Sequence, residues 1–147
     1  VCWGWNSWLD ELQAAVLRYR LKNLDPTIER RRQMAERYSS QLFDIVKVPI
    51  ERDDERHTFH TYTIMGHEAE ALKGFLERKA IETKIHYPIP IHLQKAFSYL
   101  NYNKGSFPIT ENVVNEILSL PIYPELNEEQ IKYVCDNIKE FYNREFK

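Results

Sequence analysis

The sequence predicts an α+β fold, with a small mixed or antiparallel sheet and helices packed on one side of it. Stretches whose apolar residues repeat at helical spacing stand among short runs rich in β-branched and aromatic residues. These runs stop at prolines or polar residues, so we expect brief strands rather than a doubly wound sheet. The 147 residues are 43% hydrophobic and 29% charged, which suffices for one packed domain or one lobe of a larger protein.

Two helices are predicted at the start of the chain. Ser7 is a good N-cap with an acidic residue three positions on, and apolar spacing continues the first helix to about Asn23. Small residues at its centre allow another helix or subunit to approach closely. Asp25 followed by Pro26 is a cap with a first-turn proline, so a second helix is expected to about Leu42. The apolar stripe of the first helix comprises Leu9, Leu12, Val16 and Tyr19, and that of the second Ile28, Ala35, Tyr38 and Leu42.

The middle of the chain predicts three strands and one helix. A strand over residues 43–50 ends at Pro49, and after a polar loop a strand of about eight residues lies within 57–66. A helix over residues 68–79 and a third strand over residues 81–87 follow. Alternation gives the third strand one face with Ile81, Thr83, Ile85 and Tyr87, and an opposite face with Glu82, Lys84 and His86.

The last third of the chain predicts short segments before a long helix. Residues 93–100 are typical of a short helix, Thr110 is expected to cap a helix that reaches Leu118, and residues 119–126 are extended. Asn127 begins the last helix, with a glutamine at the capping-box position. The buried stripe of this helix comprises Ile131, Val134, Ile138 and Phe141.

Composition and charge disfavour several classes of protein. The formal net charge of -2 argues against a general nucleic-acid binder, and the basic run at residues 29–32 is interpreted as the solvated face of a helix. No apolar run approaches the ~20 residues of a membrane span, and no signal peptide is visible. Cys2 and Cys135 form no disulfide framework, so a cytoplasmic location is expected. A chain without an initial Met and with only 4 glycines is expected to be a piece of a larger protein.

Histidines are the candidate metal-ligating or catalytic residues. His86 and His92 stand six apart across two prolines, which matches neither a helical pair nor zinc-finger spacing, and residues 81–97 contain no Cys or Asp. A metal site is therefore not expected. These two, with His57 and His60, are also candidates for a general acid or base, but no nucleophile motif stands beside them. For His60 a hydrogen-bonded structural role is favoured.

Two prolines make residues 86–92 a stiff segment, named here the proline ridge. Pro88 and Pro90 fix φ and remove backbone donors, so the chain must leave the sheet there. The ridge carries Tyr87 with two histidines, and the residues alone leave contact with a planar or polar ligand and simple packing equally open. Asn6, at the predicted start of the first helix, suits an anion, although a plain cap is the commoner role.

Four stretches together carry a resemblance to one family. They are "GWNSWLDELQAAVLRYRLKNLDPTIERRRQMAERYSSQL", "HTFHTYTI", "IETKIHYPIPIHLQKAF" and "EILSLPIYPELNEEQIKYVCDNI". In order and spacing they resemble the C-terminal part of the DegT/DnrJ/StrS family, which are pyridoxal-phosphate (PLP)-dependent sugar aminotransferases acting on nucleotide-linked keto-sugars. The resemblance covers nearly the whole chain and implies the fold of the C-terminal domain of a fold-type-I PLP aminotransferase.

The resemblance implies roles for the residues at matching positions. Asn6 matches an asparagine that reaches the cofactor phosphate of the neighbouring subunit, and residues 7–21 match a helix that helps to form a homodimer. His60 matches a histidine in the strand near the substrate. The loop that borders the sugar-nucleotide pocket is matched by His86, Tyr87 and His92, which would make the proline ridge a substrate-side wall.

Two departures from the family pattern limit what the chain is expected to do alone. Trp8 stands where the family usually has Arg, and an indole replaces neither the charge nor the donor fork of a guanidinium. The family's Schiff-base lysine and the acid facing the pyridine nitrogen belong to a larger N-terminal domain, and none of the ten lysines here sits in the expected motif. We therefore expect no covalent PLP on this chain and no transamination by it alone.

The resemblance thus implies the C-terminal domain of an enzyme that passes an amino group from a glutamate-like donor to a keto-sugar through PLP. Residues 1–43 would link to the large domain and the dimer interface, and residues 44–147 would form an α+β small domain. The alternative is a free-standing, non-catalytic remnant that acts as a binding or dimerisation module. Its contact surface would be the apolar flank of the first helix with the nearby tryptophans Trp3, Trp5 and Trp8.

Overall fold

The computed structural model describes residues 10–145, and it confirms the predicted α+β class. Its helices are α1 (Glu11–Leu21), α2 (Leu24–Leu42), α3 (Ala69–Arg78), α4 (Pro108–Glu116) and α5 (Glu128–Glu145). Its strands are β1 (Tyr62–Met65) and β2 (Ile117–Leu120). Two short 3-10 helices, Ile91–Leu93 and Lys95–Leu100, stand where a short helix is predicted.

The two described strands pair antiparallel, with Tyr62 opposite Leu120 and Met65 opposite Ile117. The strands predicted over residues 43–50 and 81–87 are wrong as regular strands, because each contributes one isolated bridge, Lys47 to Met65 and Lys84 to Ser119. Prolines follow both bridges and cannot donate to a ladder, so neither segment extends its pairing. The proline ridge accordingly leaves the sheet, as its composition predicts.

The hydrophobic core lies on one face of this sheet, beneath α2, α3 and α5. Tyr62 and Leu120 face this core, and the ring of Tyr62 stacks on that of Tyr38 with centroids 5.1 Å apart. Both phenols are satisfied, since Tyr38 donates to the carbonyl of Pro121 at 3.0 Å and the Tyr62 hydroxyl lies 2.8 Å from that of Ser39. Buried tyrosines of this kind fix the direction of approach of a helix as well as burying area.

The helix boundaries follow the predicted caps at some ends and depart from them at others. In α5 the capping box is confirmed. The backbone N–H of Gln130 donates to Asn127 Oδ1 at 2.8 Å, and the backbone N–H of Asn127 donates to Gln130 Oε1 at 3.0 Å. The helix predicted from Thr110 to Leu118 is wrong at both ends. It starts at Pro108 and stops at Glu116, because the next four residues are buried in β2.

Helix α1 begins at Glu11, and the Asp10 carboxylate accepts the amide of Leu12 at 2.8 Å as its N-cap. The predicted cap at Ser7 lies outside the described residues. No side chain of α1 is buried, and its stripe is open to solvent, with Leu12 exposed over 74% of its surface. Within the described part of the chain, α1 therefore contributes nothing to the core.

Replacing Gly66 by Ala is expected to lower the free energy of unfolding by about 1–3 kcal/mol, because the new Cβ would overlap Tyr142 Oη and lie 3.0 Å from Val46 Cγ1. Adding Tyr142→Phe should recover part of that loss by removing the oxygen. Gly74→Ala in α3 is the matched control, since its Cβ meets only Arg78 Nη1, at 3.7 Å, and we expect about 0.5–1 kcal/mol of stabilisation. Urea denaturation measures all three variants, and equal effects of Gly66→Ala and Gly74→Ala would contradict the close approach.

Candidate functional site

An open cleft of about 880 Å³ lies beside the sheet and is the candidate site. Three segments line it: residues 60–61 before β1, residues 80–86 without Ile85, and the run from Ser119 in β2 to the first turns of α5. The cleft therefore collects residues from β2, from the approach to β1 and from the segment that leads into the proline ridge. Among the predicted site residues, His60 and His86 both line it.

A hydroxyl–imidazole chain crosses the sheet into this cleft. The Oγ of Ser119 lies 2.9 Å from the Thr63 hydroxyl and 3.0 Å from Nδ1 of His86. Ser119 is buried, so the bond holds the imidazole at a fixed point on the sheet. A serine hydroxyl donates or accepts, so this bond is compatible with either neutral tautomer and leaves Nε2 to face a ligand as donor or acceptor.

Sequence reasoning missed Ser119 because the helix was expected to continue through Leu118. The run Leu-Ser-Leu at residues 118–120 is itself the signal of an alternating strand, with two residues in the core and the serine on the other face. Pairing with β1 overrides the helical continuation and brings Ser119 opposite Thr63.

His60 lies in a loop that arginines of α2 fix in place. Nη1 of Arg31 donates to the carbonyl of His60 at 3.2 Å, and Arg32 binds both carboxylate oxygens of Glu51, at 2.6 and 2.8 Å. The hydrogen bond from Arg32, with one from the His57 amide, lowers the pKa of Glu51 to about 2. The interpretation of residues 29–32 as a solvated face is therefore wrong for Arg30, Arg31 and Arg32, whose guanidinium groups bind segments distant in sequence.

Tyr87 and His92, the other predicted residues of the ridge, are not among those that line the cleft. Tyr87 is 73% exposed and meets the His86 ring edge-on, with centroids 5.6 Å apart. His92 is only 9% exposed, with Nε2 at 3.0 Å from Glu111 Oε1 and its ring against Phe107. The structure thus places His60 and His86 on the lining of one cleft and leaves Tyr87 beside His86. His92 instead packs toward the loop of residues 101–107 and Glu111. The predicted Asn6 lies outside the described residues.

Glu111, in α4, connects the loop of residues 101–107 to His92 of the proline ridge. Its carboxylate accepts the amides of Gly105, at 2.9 Å, and Phe107, at 3.3 Å, as well as contacting His92. These bonds, with that from Gly105 the largest influence, hold the pKa of the Glu111 carboxyl below its usual value. His92 is therefore one of several groups around a single half-buried acceptor.

Thr83 lines the cleft and carries a buried hydroxyl that has no hydrogen-bond partner among residues 10–145. Buried polar side chains are normally satisfied, so this one stands out. A bound polar group, or a residue outside the described range, would satisfy it.

Three further features of residues 10–145 bear on a metal site, a membrane-spanning helix and a reactive thiol. Between residues 10 and 145, no three His, Cys, Asp or Glu side chains lie close enough together to share a metal ion. None of the helices described above is both long and apolar enough to cross a membrane. Burial raises the pKa of the Cys135 thiol to about 12, which leaves it protonated and unreactive at neutral pH.

Replacing His92 by Ala is expected to lower the free energy of unfolding by about 1–3 kcal/mol, because it removes a buried ring and leaves Glu111 without one of its partners. Tyr87→Ala, in the same ridge but exposed, should stay within about 0.5 kcal/mol of the wild type. Chemical denaturation of the two variants measures the difference. An unchanged free energy of unfolding in His92→Ala would show that the contact between His92 and Glu111 does not stabilise the fold.

Comparison with known proteins identifies relatives over nearly the whole chain. The chain is 44% identical over 143 residues to the "Pleiotropic regulatory protein" of Geobacillus stearothermophilus, covering 95% of this chain and 38% of that protein. It is 39% identical over 139 residues to the dTDP-3-amino-3,6-dideoxy-alpha-D-galactopyranose transaminase of Aneurinibacillus thermoaerophilus, covering 94% of this chain and 38% of that protein.

The fold agrees with these sequence relatives. The crystal structure of S. venezuelae DesV in complex with a ketimine intermediate superposes with a TM-score of 0.89 at 36% identity, over 92% of this chain and 37% of that one. The family model described as DegT/DnrJ/EryC1/StrS aminotransferase matches residues 2–139. The chain spans about 38% of the length of the curated relatives it matches. This chain therefore belongs to the DegT/DnrJ/EryC1/StrS aminotransferase family.

Proposed function

We propose that this chain supplies the substrate-side part of a nucleotide-sugar aminotransferase, in which an amino group passes from a glutamate-like donor to a keto-sugar by way of PLP. The names of its relatives, among them two dTDP-amino-sugar transaminases, support this class of substrate. The observation that carries the proposal is the cleft that both His60 and His86 line, with His86 held by Ser119.

The cleft suits a ligand rich in hydroxyl groups, since its charged lining residues are two carboxylates, Glu82 and Glu129, and one ammonium, Lys84. His86 offers one ring nitrogen, and Lys84 stands at the same opening with its ammonium 3.0 Å from Glu82. Neutral donors and acceptors outnumber free charges there, so recognition would rest on directed hydrogen bonds to the sugar more than on attraction of the diphosphate. Tyr87 would close one side of the cleft as an exposed aromatic wall, and His92 would hold that wall in place from behind.

Aminotransferases of this family are PLP-dependent, and PLP supplies the electron sink of the reaction. The residues described here do not fit a covalent site for it. No lysine between residues 10 and 145 is buried, and Lys84, which lines the cleft, is 65% exposed and paired with Glu82. A lysine held for a Schiff base would have to come from outside this range, and Asn6 would reach the cofactor phosphate of a neighbouring subunit. We assign no step of the reaction to these residues.

A second candidate function, a binding or dimerisation module, is favoured by the exposed stripe of α1. Leu12, Val16 and Tyr19 form an apolar line that nothing in the described chain covers. A second subunit packed along it would bury this line and place residues 1–43 at a dimer interface, with residues 44–147 as the small domain. Self-association without any affinity for a nucleotide sugar would favour this module over the transferase part.

The 147-residue chain is expected to bind dTDP-glucose, and His86→Ala or Ser119→Ala should weaken that binding about five- to tenfold, because each removes one end of the bond that fixes the imidazole. Isothermal titration calorimetry measures the affinity. His67→Ala is the matched control, because this histidine is exposed and is not among the residues lining the cleft. Absence of binding at millimolar ligand, or equal losses in all three variants, would rule out the cleft as the sugar-nucleotide site.

Incubation with PLP followed by borohydride reduction is expected to label exposed lysines weakly and evenly, since no described lysine is held in a pocket. Peptide mass spectrometry measures the labelling of each lysine, and Lys84→Arg and Lys104→Arg should change the total equally. Stoichiometric labelling of a single lysine would contradict the assignment of the reactive amine to residues outside this range.

A further inference from the structure

One guanidinium group joins two of the three segments that line the cleft, residues 60–61 before β1 and the run that follows β2, named here its two walls. Nη1 of Arg31 lies 3.1 Å from the carbonyl oxygen of Phe59, 3.2 Å from that of His60 and 2.9 Å from that of Ile122. The first two carbonyls precede β1, and the third follows β2. We propose that Arg31 is the positioning residue of this cleft: it fixes the separation of the two walls and thereby the affinity for the nucleotide sugar. This inference rests on the proposed function.

Two of these carbonyls, those of Phe59 and Ile122, need such a donor because the ladder ends before it reaches them and both residues are buried. β1 begins at Tyr62 and β2 ends at Leu120, so the carbonyls of Phe59, His60 and Ile122 lie outside the paired register. Buried carbonyls without a strand partner must find another donor, whereas the carbonyl of the exposed His60 can also bond to water. Arg31 donates at once to carbonyls before β1 and to one after β2.

The backbone at this point is also held in an uncommon conformation. Phe59 has φ of +46°, in the left-handed region that a residue with a Cβ seldom occupies. Its ring is buried and packs against His57 and Tyr62, so the loop is fixed by its side chain on one side and by Arg31 on the other. Removal of Arg31 would leave the carbonyls of a strained turn unpaired, and His60 would lose its defined place.

Arg31 acts through other residues, since it is not itself among those lining the cleft. Its neighbours in sequence hold different segments. Arg30 donates to the carbonyls of Pro124 and Leu126, and Arg32 binds Glu51 and the carbonyl of His57. Of these three arginines, Arg31 bonds to the backbone on both sides of the cleft. A lysine keeps the charge but has a shorter side chain and no guanidinium plane, so it should reproduce this bridge only in part.

The test compares Arg31→Gln and Arg31→Lys with Arg37→Gln in the full chain. Arg37 lies on the same helix and pairs with Glu128 at 2.6 Å, and neither residue is among those lining the cleft. Hydrogen exchange of peptides 57–62 and 120–126, the His60 ring resonance and the affinity for dTDP-glucose are the readouts. In Arg31→Gln we expect exchange in both peptides to rise about tenfold or more, the His60 resonance to shift and the affinity to fall about tenfold. Arg31→Lys should lie between this variant and the wild type, and Arg37→Gln should match the wild type.

Several outcomes would overturn the inference. One is that Arg31→Gln behaves like Arg37→Gln in both peptides and in the His60 resonance. Another is that exchange rises equally in peptide 131–138 of the core, which would indicate general loosening. If Arg31→Gln does not fold, a folded Arg31→Lys with no local change decides against it. If the wild type does not bind dTDP-glucose, the proposed function fails by itself, and the exchange pattern still decides whether Arg31 links the two walls.

Discussion

The ladder between β1 and β2 is four residues long on each strand, and an isolated ladder of that size is at best marginal in water. The ladder is stabilised by the three helices that cover one of its faces. Those helices in turn bury their apolar side chains against the ladder. Tyr38 makes this mutual dependence visible, since it stacks on Tyr62 and donates to the carbonyl of Pro121, just beyond β2. Helix, strand and the start of the cleft wall are therefore joined through one side chain.

The same ladder divides structural and functional work between its two faces. Leu118 and Leu120 enter the core, so the pleat places Ser119 on the opposite face, beside Thr63 and His86. A slip of one residue would exchange these roles and put leucine side chains into the cleft. The burial of the two leucines thus fixes where Ser119 lies, and with it the hydrogen bonds that join Thr63, Ser119 and His86.

Helices with a cap and a clear apolar stripe could be predicted from the sequence, as α5 shows with its Asn127–Gln130 box. Strand extent could not be predicted as well, because the same β-branched residues at 43–50 and 81–87 lose their ladders to nearby prolines. Two histidines of one short ridge also diverge: His86 reaches the cleft, while His92 turns to Glu111, 19 positions away in sequence. Only the packing of distant segments distinguishes them, and local spacing carries no record of that packing.

The contacts of the basic run on α2 could not be predicted from local sequence either. By sequence it is a cluster of arginines on a helix, yet the bonds from Arg31 to Ile122 and from Arg30 to Leu126 span 91 and 96 positions. Guanidinium groups suit this task because they stay protonated and carry several donors in one plane, so one side chain can serve carbonyls that no strand reaches. A chain with so short a sheet has many such carbonyls at its edges. In this fold the arginines of α2 therefore donate hydrogen bonds to loop carbonyls that further strands would pair in a larger sheet. The open cleft lies between the loops that these arginines bind.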